Sequence, residues 1–379
     1  LCTACFGRDQ ITEMARIATA VVSAALIGGV LWDAFETIIL PRSIVRRFRL
    51  ARAWIRTIWL PWRLAADWVR PAARERFLAI FGPLALLGLI GLWAVCLIIG
   101  FGGLHWAAGS HIAPTVAGSA LSDDLYMSGT TFTTLGLGDL HPVGRVARLL
   151  TVVEAATGFA FLAIVVAYLP VLYQSFSRRE AQLTLLDAWA GSPPAAAEVL
   201  RRLKARDELP VICGFLKDWE FWCSDLLESH ISYPTVGFFR SQHTKQSWVA
   251  ALAFLLDLSA LIEVGIDGVP TWQAHVTFAM ARHAAVDLAQ VFGVQIATGA
   301  DRLPDREFDR MRDHLAAVGL RLTDTPSARE RLSALRRSYE PYVLGLSRAL
   351  LMPLPPWWNE RQAKDNWQTS PRGLEEAHF

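Results

Sequence analysis

From Phe77 to Trp106 the chain carries no Asp, Glu, Lys or Arg. A hydrocarbon core about 30 Å thick is crossed by about 20 helical residues, so this run is long enough to span a bilayer. Two further stretches share the property in weaker form. One runs from Ile17 to Leu40 and is interrupted by Asp33 and Glu36; the other runs from Val146 to Tyr173, with Glu154 as its only acid. Composition agrees: 53% of residues are hydrophobic, 19% are charged and 15 are Trp, against about 45–50% and about 25% in the average soluble domain. A net charge of +2 argues against a nucleic-acid binder. Five Cys, two of them in the lone CxxC of Cys2 and Cys5, make neither a disulfide framework nor a zinc site. The chain opens on Leu1, and Met14 is a more natural start, so residues 1–13 are expected to be foreign to the protein.

Charge sets the expected orientation. Residues 41–76 hold ten Arg against Asp67 and Glu75, whereas 77–144 hold no Lys or Arg. Basic loops stay on the cytoplasmic side, so 41–76 and the region after Arg178-Arg179 are expected inside the cell and the N-terminus outside, although Arg145 and Arg148 run against the rule. In 41–76, Trp54, Trp59, Trp62 and Trp68 alternate with Arg. That pattern predicts an amphipathic helix in the headgroup layer, with guanidinium groups on anionic lipid phosphates.

Between the second and third spans lies a stretch too short to cross. Ser122 is a candidate N-cap with Asp123 and Asp124 behind it, predicting a short helix to about Thr133. Thr134-Leu135-Gly136-Leu137-Gly138-Asp139 follows, with Gly at alternate positions. Non-helical backbone at membrane depth is tolerated where its carbonyls line a cavity or bind something. Gly136 and Gly138 can take backbone angles closed to other residues. Four such strands around an axis stack rings of carbonyl oxygen that replace the hydration shell of a cation, with the Thr134 hydroxyl as the innermost ring.

These residues resemble the potassium-channel pore domain, an outer helix, pore helix, filter and inner helix, over about Phe77 to Tyr173. Thr134, Gly136, Gly138 and Asp139 fall on the family's filter positions; Leu135 replaces Val and Leu137 the usual Tyr. The resemblance implies potassium selectivity. Leu137 cannot form the aromatic cuff that braces many filters, yet a T-I-G-L-G-D filter occurs in the second pore loop of some two-pore-domain potassium channels. The run from Glu154 through Gly158 resembles bacterial channels in which the acid braces the pore helix from behind; a cavity-facing acid is the alternative. Gly158 reads either as a gating hinge or as a small residue for close packing. Pro170 is a candidate gate, where the inner helix kinks or ends. Thr133 and Asp139 support the filter and its mouth, with Asp123, Asp124 and Asp139 concentrating cations outside. Asp33 and Glu36, three apart on one helical face, are expected to pair with Arg46 or Arg47.

The remainder reads as helices over about 178–190, 194–206, 208–230, 245–265, 271–292, 304–319 and 326–350, then a Pro- and Trp-rich tail. No GxGxxG follows a strand, so a nucleotide-binding regulatory domain is not expected. The run 248–266 is apolar, but Asp257 at its centre and Glu263 favour a buried bundle helix. His230, His243, His275 and His283 lack HExxH or ExxH spacing and predict no metal site.

The expectation is an all-α membrane protein with three transmembrane helices, a re-entrant pore helix and filter, and a helical cytoplasmic domain. The expected divisions are 1–40, 41–76, a pore domain at 77–175, a helical domain at 176–352 and a tail at 353–379. One filter strand per chain supplies a quarter of each oxygen ring, so a homotetramer conducting potassium passively is expected, with no enzyme activity and no cofactor beyond the permeant ion. A non-selective cation channel with the same fold, and a membrane-anchored enzyme, receptor or sensor with a vestigial pore, are the alternatives.

Overall fold

Pro71 opens the long helix that the charge-free run implies, six residues before Phe77. Proline suits a first helical position because its missing N–H has no intrahelical partner there, and Arg70 before it is extended (φ −54°, ψ 139°). The computed structural model describes residues 2–40, 50–109, 112–113, 121–241, 246–297, 299 and 301–359. The chain divides into two units, Leu1–Tyr173 and Gln174–Phe379.

The first unit holds α1 (Cys2–Ile38), α2 (Leu50–Ala66), α3 (Pro71–Ala107), β1 (Ile112–Ala113), α4 (Leu121–Phe132), β2 (His141–Pro142) and the first part of α5 (Arg145–Ala190). β1 and β2 pair antiparallel, Ile112 opposite Pro142. Helices α1, α3 and α5 are each long and apolar enough to cross a membrane. Asp33 links three of the helices: its Oδ1 accepts from the Leu50 amide at the start of α2 (3.0 Å) and its Oδ2 from Trp93 Nε1 on α3 (3.0 Å). A carboxylate at an N-terminal amide satisfies a donor that the helix leaves open. The expected partners Arg46 and Arg47 lie outside the described residues.

Helix α2 is fastened to α3 through its tryptophans. Trp54 donates Nε1 to the Ala85 carbonyl (2.9 Å), Trp62 stacks on Phe77 with centroids 4.5 Å apart, and Trp59 meets Phe81 at 4.6 Å. Its three Trp side chains therefore pack on α3, and among the described residues of 50–70 the exposed large apolar groups are Leu60, Leu64 and Trp68.

Pro170 neither ends nor divides α5, which is one helix from Arg145 to Ala190. In the second unit the rest of α5 is followed by α6 (Ala196–Ala205), α7 (Ile212–Ser232), a 3-10 turn (Pro234–Phe238), α8 (Trp248–Gly265), α9 (Trp272–Val291), α10 (Asp305–Ala317) and α11 (Pro326–Leu350). Ser247 caps α8 at the Ala250 amide (3.0 Å) and Thr325 caps α11 at Ala328 (3.2 Å), each sequestering an otherwise open donor. Helix α8 has the composition of a fourth span, but 89% of its apolar window is buried inside the protein, against 11% in α1 and α5. A helix apolar on all sides needs cover from lipid or from protein, and here protein supplies it. Asp257 at its centre is held by Arg302 (3.0 and 2.6 Å) and by the Tyr339 hydroxyl (2.6 Å), so the buried charge is fully paired.

Candidate functional site: the pore loop

Helix α4 and the stretch behind it are placed by α3 and α5. Ser128 Oγ on α4 lies within hydrogen-bond reach of the Ile98 carbonyl of α3 (2.8 Å) and of Glu154 Oε1 of α5, sharing its one hydroxyl proton between them. The other oxygen, Glu154 Oε2, lies 3.1 Å from His105 Nε2 at the end of α3. All three side chains are wholly buried. Glu154 thus links α5 to α3 and to α4. Asp124 is also buried, at 1% exposure, which removes it from the exposed mouth where the sequence places it. Ser122 lies inside the first turn of α4 and bonds Asp123 (3.4 Å), so it is not the N-cap.

The chain leaves α4 by folding its amides backward. Thr133 N and Oγ1 both bond the Gly129 carbonyl (3.1 and 2.7 Å), Thr134 N bonds Thr131 O (3.0 Å), and the amides of Leu135 and Gly136 converge on Thr130 O (2.9 and 3.1 Å). These bonds satisfy the carbonyls that a helix end leaves open. They also aim the negative end of the helix dipole at residues 134–138.

Backbone torsions then alternate. Thr134, Gly136 and Gly138 have φ of +58°, +51° and +75°, whereas Leu135 and Leu137 are not among the positive-φ residues. Positive φ at every second residue is a conformation that glycine reaches without strain. Thr134 pays for this without a glycine's freedom, since a left-handed torsion costs an L-residue about 1–2 kcal/mol. Residues 134–138 are exposed in the single chain. Beyond them Asp139 Oδ2 accepts from the Tyr126 hydroxyl at 2.9 Å.

Gly158 on α5 meets the end of α4. A Cβ there would lie 2.1 Å from the Phe132 carbonyl oxygen, so its closest duty is to admit backbone. Pro170 lies inside unbroken helix. Among the described residues no three of His, Cys, Asp or Glu gather as metal ligands, and His243 lies outside them. The roles of Tyr126, His105 and Ser128 have no signal in the sequence beyond their residue types.

Residues 86–174 match a family model described as ion channel. The uncharacterized membrane protein YdjJ of Bacillus subtilis (strain 168) is 24% identical over 195 residues, which cover 50% of this chain and 56% of that protein. The chain thus spans little more than half the length of this curated relative. No solved structure matches. The chain is a multi-pass, all-α membrane protein in which residues 86–174 are similar to an ion-channel family.

Proposed function

We infer that four copies of the chain surround an axis along which residues 134–138 conduct potassium selectively and passively. The positive torsions of Thr134, Gly136 and Gly138 at alternate positions carry this reading, because they would leave a row of carbonyl oxygens for a dehydrated cation while α4 occupies the amides of Thr134, Leu135 and Gly136. Potassium is the only ligand required. The basic segment that includes α2 lies at the cytoplasmic headgroups, with Arg56 and Arg63 toward anionic phosphate and Trp68 in the interface; the helical second unit is cytoplasmic and the N-terminus external.

Replacement of Gly136 or Gly138 tests the assignment. No atom lies within 4 Å of a Cβ built at either position, so the strain of Gly136→Ala or Gly138→Ala comes from the left-handed torsion alone. Both variants are expected to form tetramers and to lose potassium flux in liposomes. Wild-type flux in either contradicts the filter.

A further inference from the structure

In the second unit, one face of α5 is buried through Phe176, Arg179, Glu180, Leu183 and Leu186. At its centre the Arg179 guanidinium is 1% exposed and makes contacts on four sides. Nε and Nη2 donate to Glu180 Oε1 (3.0 and 2.9 Å), Nη2 to the Phe239 carbonyl (2.8 Å), Nη1 to the Val236 carbonyl (3.1 Å), and Nη1 also lies 3.1 Å from His230 Nε2 on α7. The Phe176 ring lies 5.1 Å from the guanidinium carbon.

A guanidinium has no acceptor. His230 Nε2 must therefore accept from Arg179, which assigns the ring proton to Nδ1, where the Leu226 carbonyl receives it at 2.9 Å. The imidazole is wholly buried and is neutral in this arrangement. Among the described residues its other contacts are uncharged: Ser229 Oγ at 3.1 Å from Nδ1 and the Trp248 ring of α8 at 5.0 Å. Glu180 is the carboxylate bonded to Arg179, and its Oε2 has no hydrogen-bond partner among the described residues. A proton on Nε2 would set two donors face to face and leave two cations against one carboxylate in a dry site.

We propose that Arg179 and His230 form a proton-operated latch, in which acid on the side of the helical unit frees residues 174–190 of α5 and thereby changes the open probability of the pore. The gating half rests on the channel reading above, since α5 is one helix from Arg145 to Ala190; the latch itself does not. Burial, and then the Arg179 charge, hold His230 well below its ordinary value of 6.5. The released side chain takes up its proton near pH 6.5 and the latched one only well below that. Latching is therefore complete above about pH 6.5 and weakens by up to about tenfold per pH unit below it, because the released state binds the extra proton.

Hydrogen exchange of the full chain in lipid, corrected for intrinsic rates, tests the latch. Protection of residues 174–190 is expected to fall about fivefold between pH 6.5 and 5.5, with α11 unchanged. In His230→Gln, whose amide oxygen can accept from Arg179 without titrating, that fall is expected to vanish. Wild-type protection independent of pH overturns the latch, as does a His230→Gln response equal to wild type; the first measurement needs no variant to fold. Potassium flux at the two pH values then tests gating. An exchange response with equal flux overturns the regulatory claim. Absence of flux at every pH counts against the channel reading instead, and exchange alone then decides the latch.

Discussion

The Tyr126 hydroxyl on the pore helix donates to Asp139 Oδ2 at 2.9 Å, spanning the 134–138 stretch from one end to the other. Leu137 has no polar tip with which to brace the strand from outside, and this bond supplies a brace from within the chain. Removing the hydroxyl leaves the ring in place and frees Asp139. Tyr126→Phe is therefore expected to reduce steady potassium flux in liposomes with little change in tetramer yield. Flux equal to wild type would deny the bond a supporting role.

Glu154 holds α4 from behind through Ser128, and holds α3 through His105. Truncation would strand buried polar groups, at a cost of about 2–5 kcal/mol. Glu154→Ala is expected to lower thermal stability in detergent markedly, and Glu154→Gln, which keeps the shape and one acceptor, to lower it less. Equal melting of Glu154→Ala and wild type would show that the cluster contributes nothing to packing.

At Gly158 the inner helix and the pore-helix end share a space that a methyl group would fill. Interiors respond to a single added methyl because they are closely packed, with overpacking costing about 1–3 kcal/mol. Gly158→Ala is expected to shift Phe132 and suppress conduction, whereas Gly91→Ala, where a Cβ meets nothing within 4 Å, should conduct normally. If both conduct alike, the contact is not limiting.

Much of the first unit was legible because its signals are local. Absence of charge over 77–106 marks α3, and glycine at alternate positions marks the stretch after α4. The partners of the buried acids were not legible. Glu154 and His105 stand 49 residues apart, and nothing in either neighbourhood of the sequence names the other. Asp33 shows the same limit: its bonds to the Leu50 amide and the Trp93 indole reach 17 and 60 residues along the chain, and neither partner is named by the sequence around it. Pro170 does not end the inner helix. An interior proline removes one hydrogen bond and costs about 3 kcal/mol, which a 46-residue helix packed at its second end can absorb. The tryptophans of α2 carry no mark of their partners in the sequence around them, since Phe77 and Phe81 belong to the following helix.

Orientation has its own test. Ser177 is exposed on α5, and a Cys placed there is expected to resist an impermeant thiol reagent applied to intact cells and to react once the membrane is opened. Labelling from outside would invert the topology.

Selectivity is the central claim, and the reversal potential of the reconstituted full chain between potassium on one side and sodium on the other measures it most directly. The account predicts a potential near that of a membrane permeable to potassium alone, abolished together with the current by Gly138→Ala. A potential near zero, with sodium carried as readily as potassium, would contradict it.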